Sequence, residues 1–347
     1  MKSLYKGTSL LLLIFALYAC QQKQDPGYAS GTDADSCDYV NFTTPGDFQM
    51  AGIQMIPIEG GYKVWTKRFG NNPTMKVLLL HGGPAMTHEY MECFESFFPK
   101  ANIEFYEYDQ LGSYYSDQPT DTSLWQTARF VEEVEQVRKA LNLTKDNFYL
   151  LGNSWGGLLA MEYALKYPDN LKGLIVCSMT ADFGKYEVYN QKLRNELRPT
   201  LIDSLKAYED KGDYFNPEYS EMVFNEYYTR HLCRLPELPD PVMRSFKHVN
   251  NDVYVYMQGP SEFVPGGILK GWSVWDRLKE IKTPTLTVGA KYDTMNPEEM
   301  EEMSKLVQNG RYLYCPNGSH LAMWDDQEVF MNGVIDFIKS VDTGNKQ

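Results

Sequence analysis

The sequence predicts an α/β fold, with a mostly parallel central sheet flanked by helices and a helical cap inserted into it, and three features carry that expectation. Short apolar runs recur along the chain, amphipathic stretches lie between them, and the alternation breaks off once, over residues 181–269. The runs at 76–80, 103–108, 148–151, 174–177 and 285–288 are largely apolar on consecutive residues, as strands covered on both faces must be, and each is followed at once by Gly, Asp, His or Ser. The stretches at 128–141, 158–167 and 297–307 carry apolar residues at helical spacing. Strands separated by helices build a doubly wound sheet, whose reactive residues sit on the loops at the strand ends. Residues 181–269 are dense in Tyr, Glu, Lys and Arg, show helical patterns at 186–197, 201–210 and 221–230, and contain the turn sequence PELPDPV. They are expected to form a cap above the site, dividing a core of residues 46–180 and 270–342, with 343–347 as a tail.

A chain of 347 residues that is 43% hydrophobic can bury one large domain plus such an insertion. Its 33 basic and 46 acidic residues give a net charge of −13, and no Lys/Arg block forms a stripe that could track phosphates, so nucleic acid is not an expected partner. Lys2 and Lys6 precede an apolar run at 10–19 that is too short to span a bilayer, which predicts an export signal over 1–19. The run ends Leu17-Tyr18-Ala19-Cys20, which resembles the lipobox of bacterial lipoproteins, with Cys20 as the acylated residue. An exported lipoprotein is therefore expected, periplasmic or on the cell surface and held at a membrane by its lipid. Residues 20–45, beginning at Cys20, are rich in Gly, Pro, Ser, Thr and Asp without an apolar period and read as a flexible tether. Cys37, Cys93, Cys177, Cys233 and Cys315 show no zinc or CxxC spacing, so neither a metal, another cofactor nor a disulfide framework is expected.

The strongest chemical signal is Gly152-Asn153-Ser154-Trp155-Gly156. A bare G-x-S-x-G is weak evidence, and its setting decides. Here it follows the apolar run NFYLL and opens the helical stretch GGLLAMEYALKY, the strand-turn-helix context that presents a serine hydroxyl at the top of a sheet. A serine hydroxyl needs an imidazole base, and the base needs a carboxylate to fix its tautomer. Asp293 lies just beyond the strand TLTVG and His320 beyond the short strand RYLYC, where those partners belong. Of the 5 histidines, His81 and His88 come too early for the order Ser, acid, His, while His231 and His248 fall in the cap segment. Asp325 and Asp326, next along the chain, read as capping or solvating the last helix. Leu80-His81-Gly82-Gly83-Pro84 follows a strand with side-chain-free glycines, so the Gly83 and Trp155 N–H groups are the expected donors to a substrate oxyanion. His81 itself reads as a structural hydrogen bonder.

HGGPA at 81–85, YDQLGS at 108–113, GNSWGG at 152–157, QGPSEF at 258–263 and SHLAMWDD at 319–326 together resemble the proline iminopeptidase group of α/β-hydrolases, with the likeness closest to the tricorn-interacting aminopeptidases. The likeness runs from about residue 50 to 340. It implies the α/β-hydrolase fold with a cap, no metal, and release of an N-terminal residue, often proline, from short peptides with a free amino terminus. It further implies that Glu262, in the GPxEF element, pairs with the substrate ammonium group. In close relatives a second acid follows the triad aspartate, and this chain has Thr294 there, unless a cap residue such as Glu187 or Glu196 substitutes. The chain also has Ala85 where the family commonly has glycine. Two other classes compete: a carboxylesterase or lactonase of the same fold would lack the ammonium clamp, and a non-catalytic peptide-binding lipoprotein would be expected to have lost Ser154 or His320.

Overall fold

A computed structural model describes residues 52–344. The export signal, Cys20, the tether and Cys37 lie outside the described residues. Eight strands form one sheet in the order β1-β2-β4-β3-β5-β6-β7-β8. In sequence they are β1 (Ile53–Pro57), β2 (Lys63–Phe69), β3 (Lys76–Leu80), β4 (Glu104–Asp109), β5 (Phe148–Asn153), β6 (Gly173–Cys177), β7 (Thr285–Ala290) and β8 (Gly310–Cys315). The six strands from β3 onward pair in parallel, while β1 and β2 run antiparallel at one edge, β2 pairing with β4.

The apolar strand runs follow from burial on both faces. Along β3, Leu78 and Leu80 enter one core while Val77 and Leu79 enter the other; along β5, Phe148 and Leu150 alternate with Tyr149 and Leu151 in the same way. The first core is closed by α1 (Thr127–Ala140) and α2 (Trp155–Lys166), through residues such as Val134, Val137, Leu158 and Leu159. The second is closed by the long C-terminal helix, whose Phe330, Met331, Val334, Phe337 and Ile338 make one apolar stripe.

Between β6 and β7 run α3 (Phe183–Asn195), α4 (Pro199–Glu209), α5 (Pro217–Val223), α6 (Thr229–His231), α7 (Asp240–Lys247) and α8 (Asn251–Met257). A single turn of π-helix, Phe224–Tyr228, joins α5 to α6. These helices have a core of their own, in which Leu193, Leu197, Leu201, Leu205, Tyr219, Val223, Tyr227 and Phe263 are buried together. After β7 come α9 (Pro297–Leu306), then β8, the short α10 (Ala322–Asp325) and α11 (Gln327–Asp342). Because the parallel strands all point one way, the loops after β3, β5, β7 and β8 gather at a single edge of the sheet.

Candidate active site

Space dictates the turn between β5 and α2. A Cβ on Gly152 would sit 2.0 Å from the Gly156 carbonyl oxygen, so strand and helix close on each other only if that position carries no side chain. Ser154, between them, is held at φ 55°, ψ −128°, a conformation an L-residue keeps only when its surroundings impose it. Its N–H donates to Cys177 O at 3.0 Å, and its carbonyl accepts from the Gly157 and Leu158 amides at 2.7 and 3.2 Å. The side chain is half-buried, and among the described residues its hydroxyl has no hydrogen-bond partner.

His320 and Asp293 meet across the loops that follow β8 and β7, with His320 Nδ1 2.7 Å from Asp293 Oδ1. The same oxygen accepts from the Met295 N–H at 3.0 Å and from the Thr294 hydroxyl at 3.3 Å, and that hydroxyl also lies 3.0 Å from His320 Nδ1. A carboxylate can only accept, so the neutral imidazole carries its proton on Nδ1 and presents Nε2 as a base. No hydrogen bond joins Ser154 Oγ to His320. The two loops are tied instead through Asn153, whose Nδ2 donates to His320 O at 3.4 Å.

Burial works to lower the His320 pKa, but the charge and hydrogen bond of Asp293, with Glu262 and Asp325 behind it, raise it above the ordinary 6.5. If His320 is the base, protonation removes its lone pair and activity is lost as pH falls. The acid limb of kcat/KM is therefore expected to have its midpoint above 6.5 rather than below it. A pH profile of the free enzyme checks this; a midpoint well below that of a free histidine would contradict it.

Gly83, Ser154, Trp155 and Glu262 line one small cavity, together with the apolar side chains of Leu158, Met179, Phe183, Leu269 and Met295. The cavity measures ≈ 20 Å³ of space open to the centre of a water molecule, room for about one water. Added to Gly82, a Cβ would lie 2.9 Å from Ser154 Cβ, a measure of how closely the loop after β3 abuts the serine. The Gly83 N–H has no partner among the described residues, and the Trp155 N–H, first in α2, has none within the helix. Both amides are thus free to donate to a ligand.

Three polar residues hold this arrangement together. Tyr90 Oη accepts from the Gly82 N–H at 2.7 Å and donates to Asn153 Oδ1 at 2.9 Å. Gln110 accepts from the Trp155 indole N–H at 2.7 Å, while its own side chain and backbone N–H donate to His81 O and Nε2, each at 3.1 Å. His81 is fully buried, with Nδ1 2.8 Å from Gly82 O and a pKa lowered by that burial. It is a fixed neutral strut joining the motifs at 81–85, 108–113 and 152–157.

Glu262, just past α8, is half-buried. Its Oε1 accepts from Tyr254 Oη at 2.7 Å and its Oε2 from Tyr186 Oη. Burial pushes its carboxyl pKa up, opposed by His320 and reinforced by Asp293. Among the described residues lining the cavity it is the one carboxylate. Glu187 and Glu196 do not line this cavity, and Glu196 is exposed. Thr294 itself is buried against the Asp293–His320 pair.

One expectation needs correcting. Asp325 and Asp326 do not cap α11, which starts without a side-chain cap. Asp325 instead accepts from Ser319 N at 3.0 Å and from the Ser319 hydroxyl, and Asp326 accepts from Asn317 N at 3.0 Å, bracing the loop that carries His320. Tyr90, Asn153 and Gln110 carry no sequence signal of their own for these roles, although Gln110 lies in YDQLGS and Asn153 in GNSWGG.

Among the described residues, no three His, Cys, Asp or Glu side chains are placed to hold a metal ion, and Cys93, Cys177, Cys233 and Cys315 are free, buried thiols. No helix among them is long and apolar enough to cross a membrane.

A family model described as "alpha/beta hydrolase fold" matches residues 76–327, which is the class that the sheet order and the serine turn define. The proline iminopeptidase of Elizabethkingia meningoseptica is 64% identical over 294 residues, 83% of this chain and 99% of its own length. That of Flavobacterium johnsoniae is 62% identical over 293 residues, 83% and 98% of the two chains. Of the solved structures, VinJ matches with a TM-score of 0.79 at 30% identity, over 83% of this chain and 98% of its own. The proline iminopeptidase of Mycobacterium smegmatis matches at 0.76 and 27%, over 85% and 100%. The chain belongs to the proline iminopeptidase family of α/β-hydrolases. As a member it is a hydrolase with aminopeptidase activity.

Proposed function

We propose that this enzyme releases an N-terminal residue, proline or another small or apolar one, from short peptides with a free amino terminus. Ser154 Oγ attacks the carbonyl carbon of the first residue as its proton passes to His320 Nε2, and Asp293 stabilises the imidazolium that results. The oxyanion takes hydrogen bonds from the Gly83 and Trp155 amides. His320 then gives the proton to the departing amine of the shortened peptide, leaving the first residue as an ester on Ser154. Water, deprotonated by the same imidazole, hydrolyses that ester and restores the serine.

One observation carries the reading: the single carboxylate lining the cavity beside Ser154 is Glu262, held by two tyrosine hydroxyls. A carboxylate so placed, with small apolar walls around it, suits an ammonium group on a compact apolar residue. The first test compares prolyl anilide with N-acetylprolyl anilide. Because acetylation removes the charge that Glu262 would meet, kcat/KM on the blocked substrate is expected to fall by about 30-fold or more, the size of about 2 kcal/mol. Equal rates on the two would mean that Glu262 recognises no substrate ammonium group. We further propose, from residues 1–45 alone, that the enzyme is exported and works outside the cytoplasm, anchored by lipid at Cys20.

A further inference from the structure

Segment 231–234, at the end of α6 within the helical insertion, runs directly against both loops that carry the acid–base pair. On one side, His231 Nδ1 lies 2.9 Å from the carbonyl oxygen of Tyr292, the residue before Asp293. On the other, the backbone carbonyls of His231 and Leu232 accept from the amides of His320 and Leu321 at 3.0 and 2.8 Å. Arg234 continues the contact: its N–H donates to Asp325 Oδ2 at 2.9 Å, and its guanidinium lies over the Tyr292 ring, 3.4 Å from the centroid. From α3, Asn190 Nδ2 donates to the carbonyl of Thr294 at 3.1 Å, so Asp293 has a hydrogen-bonded carbonyl on each side of it in the chain. Tyr227 Oη in turn donates to Asn190 Oδ1, and its ring lies 4.9 Å from that of His231.

We propose that His231 is a positioning residue for the reaction, a clamp through which the cap sets the distance between Asp293 and His320. Among the described residues outside the two loops, it is the one that hydrogen-bonds to both, by its imidazole to the acid's neighbour and by its carbonyl to the base itself. The Tyr292 carbonyl only accepts, so Nδ1 of His231 must carry a proton, and a neutral ring of that tautomer suffices. The inference rests on the assignment of Asp293 and His320 as the orienting acid and the base. A contact of 2.7 Å between two side chains on separate loops persists only while both backbones are held, and a displacement of about 1 Å at such a pair costs about 100-fold in rate. Neither Asp293 nor His320 belongs to a helix or strand, so their spacing rests on hydrogen bonds: one directly between the loops, from the Tyr292 N–H to Gly318 O at 3.0 Å, and those that the cap adds from outside.

The test measures kcat and KM on prolyl anilide for His231→Leu, His231→Gln and His231→Asn, with Ser154→Ala alongside. The Asn amide nitrogen can occupy the place of Nδ1 and donate to Tyr292 O. Gln keeps bulk and polarity but carries its amide one methylene further out, and Leu keeps bulk alone. The expected result is a kcat lower by about 10- to 100-fold for Leu and Gln with KM within about twofold, and rescue to within about threefold of wild type by Asn. The low-field proton resonance of His320 Nδ1–H should be kept in the Asn variant and broadened or lost in the Gln variant, a readout that loss of fold stability alone would not produce. Should the Leu variant fail to fold, the Gln and Asn pair decides the matter. Wild-type kcat in folded Gln or Leu protein, a loss confined to KM, or an Asn variant as slow as Gln would each overturn the proposal. If Ser154→Ala is inactive while the His231 variants behave as wild type, only this clamp falls; if Ser154→Ala remains active, the triad assignment itself falls.

Discussion

Ser154→Ala is expected to lower kcat by on the order of 10⁶ while leaving the folded protein intact. The two halves of that expectation have different origins. The loss comes from chemistry: without the hydroxyl no ester can form, and His320 has no proton to take. Residual turnover would rest on whatever the amide donors and the binding of substrate supply to a direct attack by water. The intact fold comes from geometry. The hydroxyl makes no hydrogen bond within the described residues, while the turn is held by the Ser154 N–H and carbonyl, which alanine retains. Alanine also keeps the Cβ, so the cost of the positive φ at this position is unchanged. The check is a thermal melt beside an activity assay and a fluorophosphonate label. A melting temperature near that of wild type with activity below the detection limit is the expected pair. Retention of more than a few per cent of turnover would remove Ser154 from the reaction.

Glu262→Gln is expected to separate two substrate classes. If the carboxylate meets a substrate ammonium in a nearly dry cavity, removing its charge leaves the ammonium unpaired, at about 2–5 kcal/mol, or roughly 30- to 5000-fold in kcat/KM on prolyl anilide. The amide oxygen of Gln can still accept from one tyrosine hydroxyl, so the cavity keeps its shape. Hydrolysis of p-nitrophenyl acetate, which has no amine, should then be nearly unchanged. The raised pKa of Glu262 sharpens the test, because an incoming cation favours the ionised form and draws that pKa down. Equal losses on both substrates would instead make Glu262 part of the wall.

What the sequence disclosed about this fold, and what it hid, depended on how each residue earns its place. Strands β3 to β7 were legible because both their faces are covered, which writes an apolar run. The edge strands β1 and β2 were not anticipated: Gln54, Met55 and Pro57 are exposed, and Lys63, Lys67 and Arg68 interrupt the pattern. Helices α7 and α8 were likewise not anticipated, although in α7 Val242, Met243 and Phe246 recur at helical spacing among Asp240, Arg244 and Lys247. The locations of Ser154, Asp293 and His320 were legible because short residues and turns follow strands at those points. The bracing around them was not. Asn190, His231, Asp325 and Asp326 act largely on backbone groups, whose partners carry no side-chain signature, and they reach across 104, 61, 6 and 9 residues of sequence respectively.

The contact between Asn153 and His320 closes a loop of 167 residues, and that has a consequence in time. While the chain is being made, the turn around Ser154 can form once β5, β6 and α2 are available, yet the imidazole belongs to a loop that follows the last strand. Pairings this distant in sequence are late events in folding, because a long loop must be closed before they return any stability. If Ser154 and His320 act together as proposed, a nascent chain that still lacks the loop after β8 carries an inert serine and cannot act on the peptides around it.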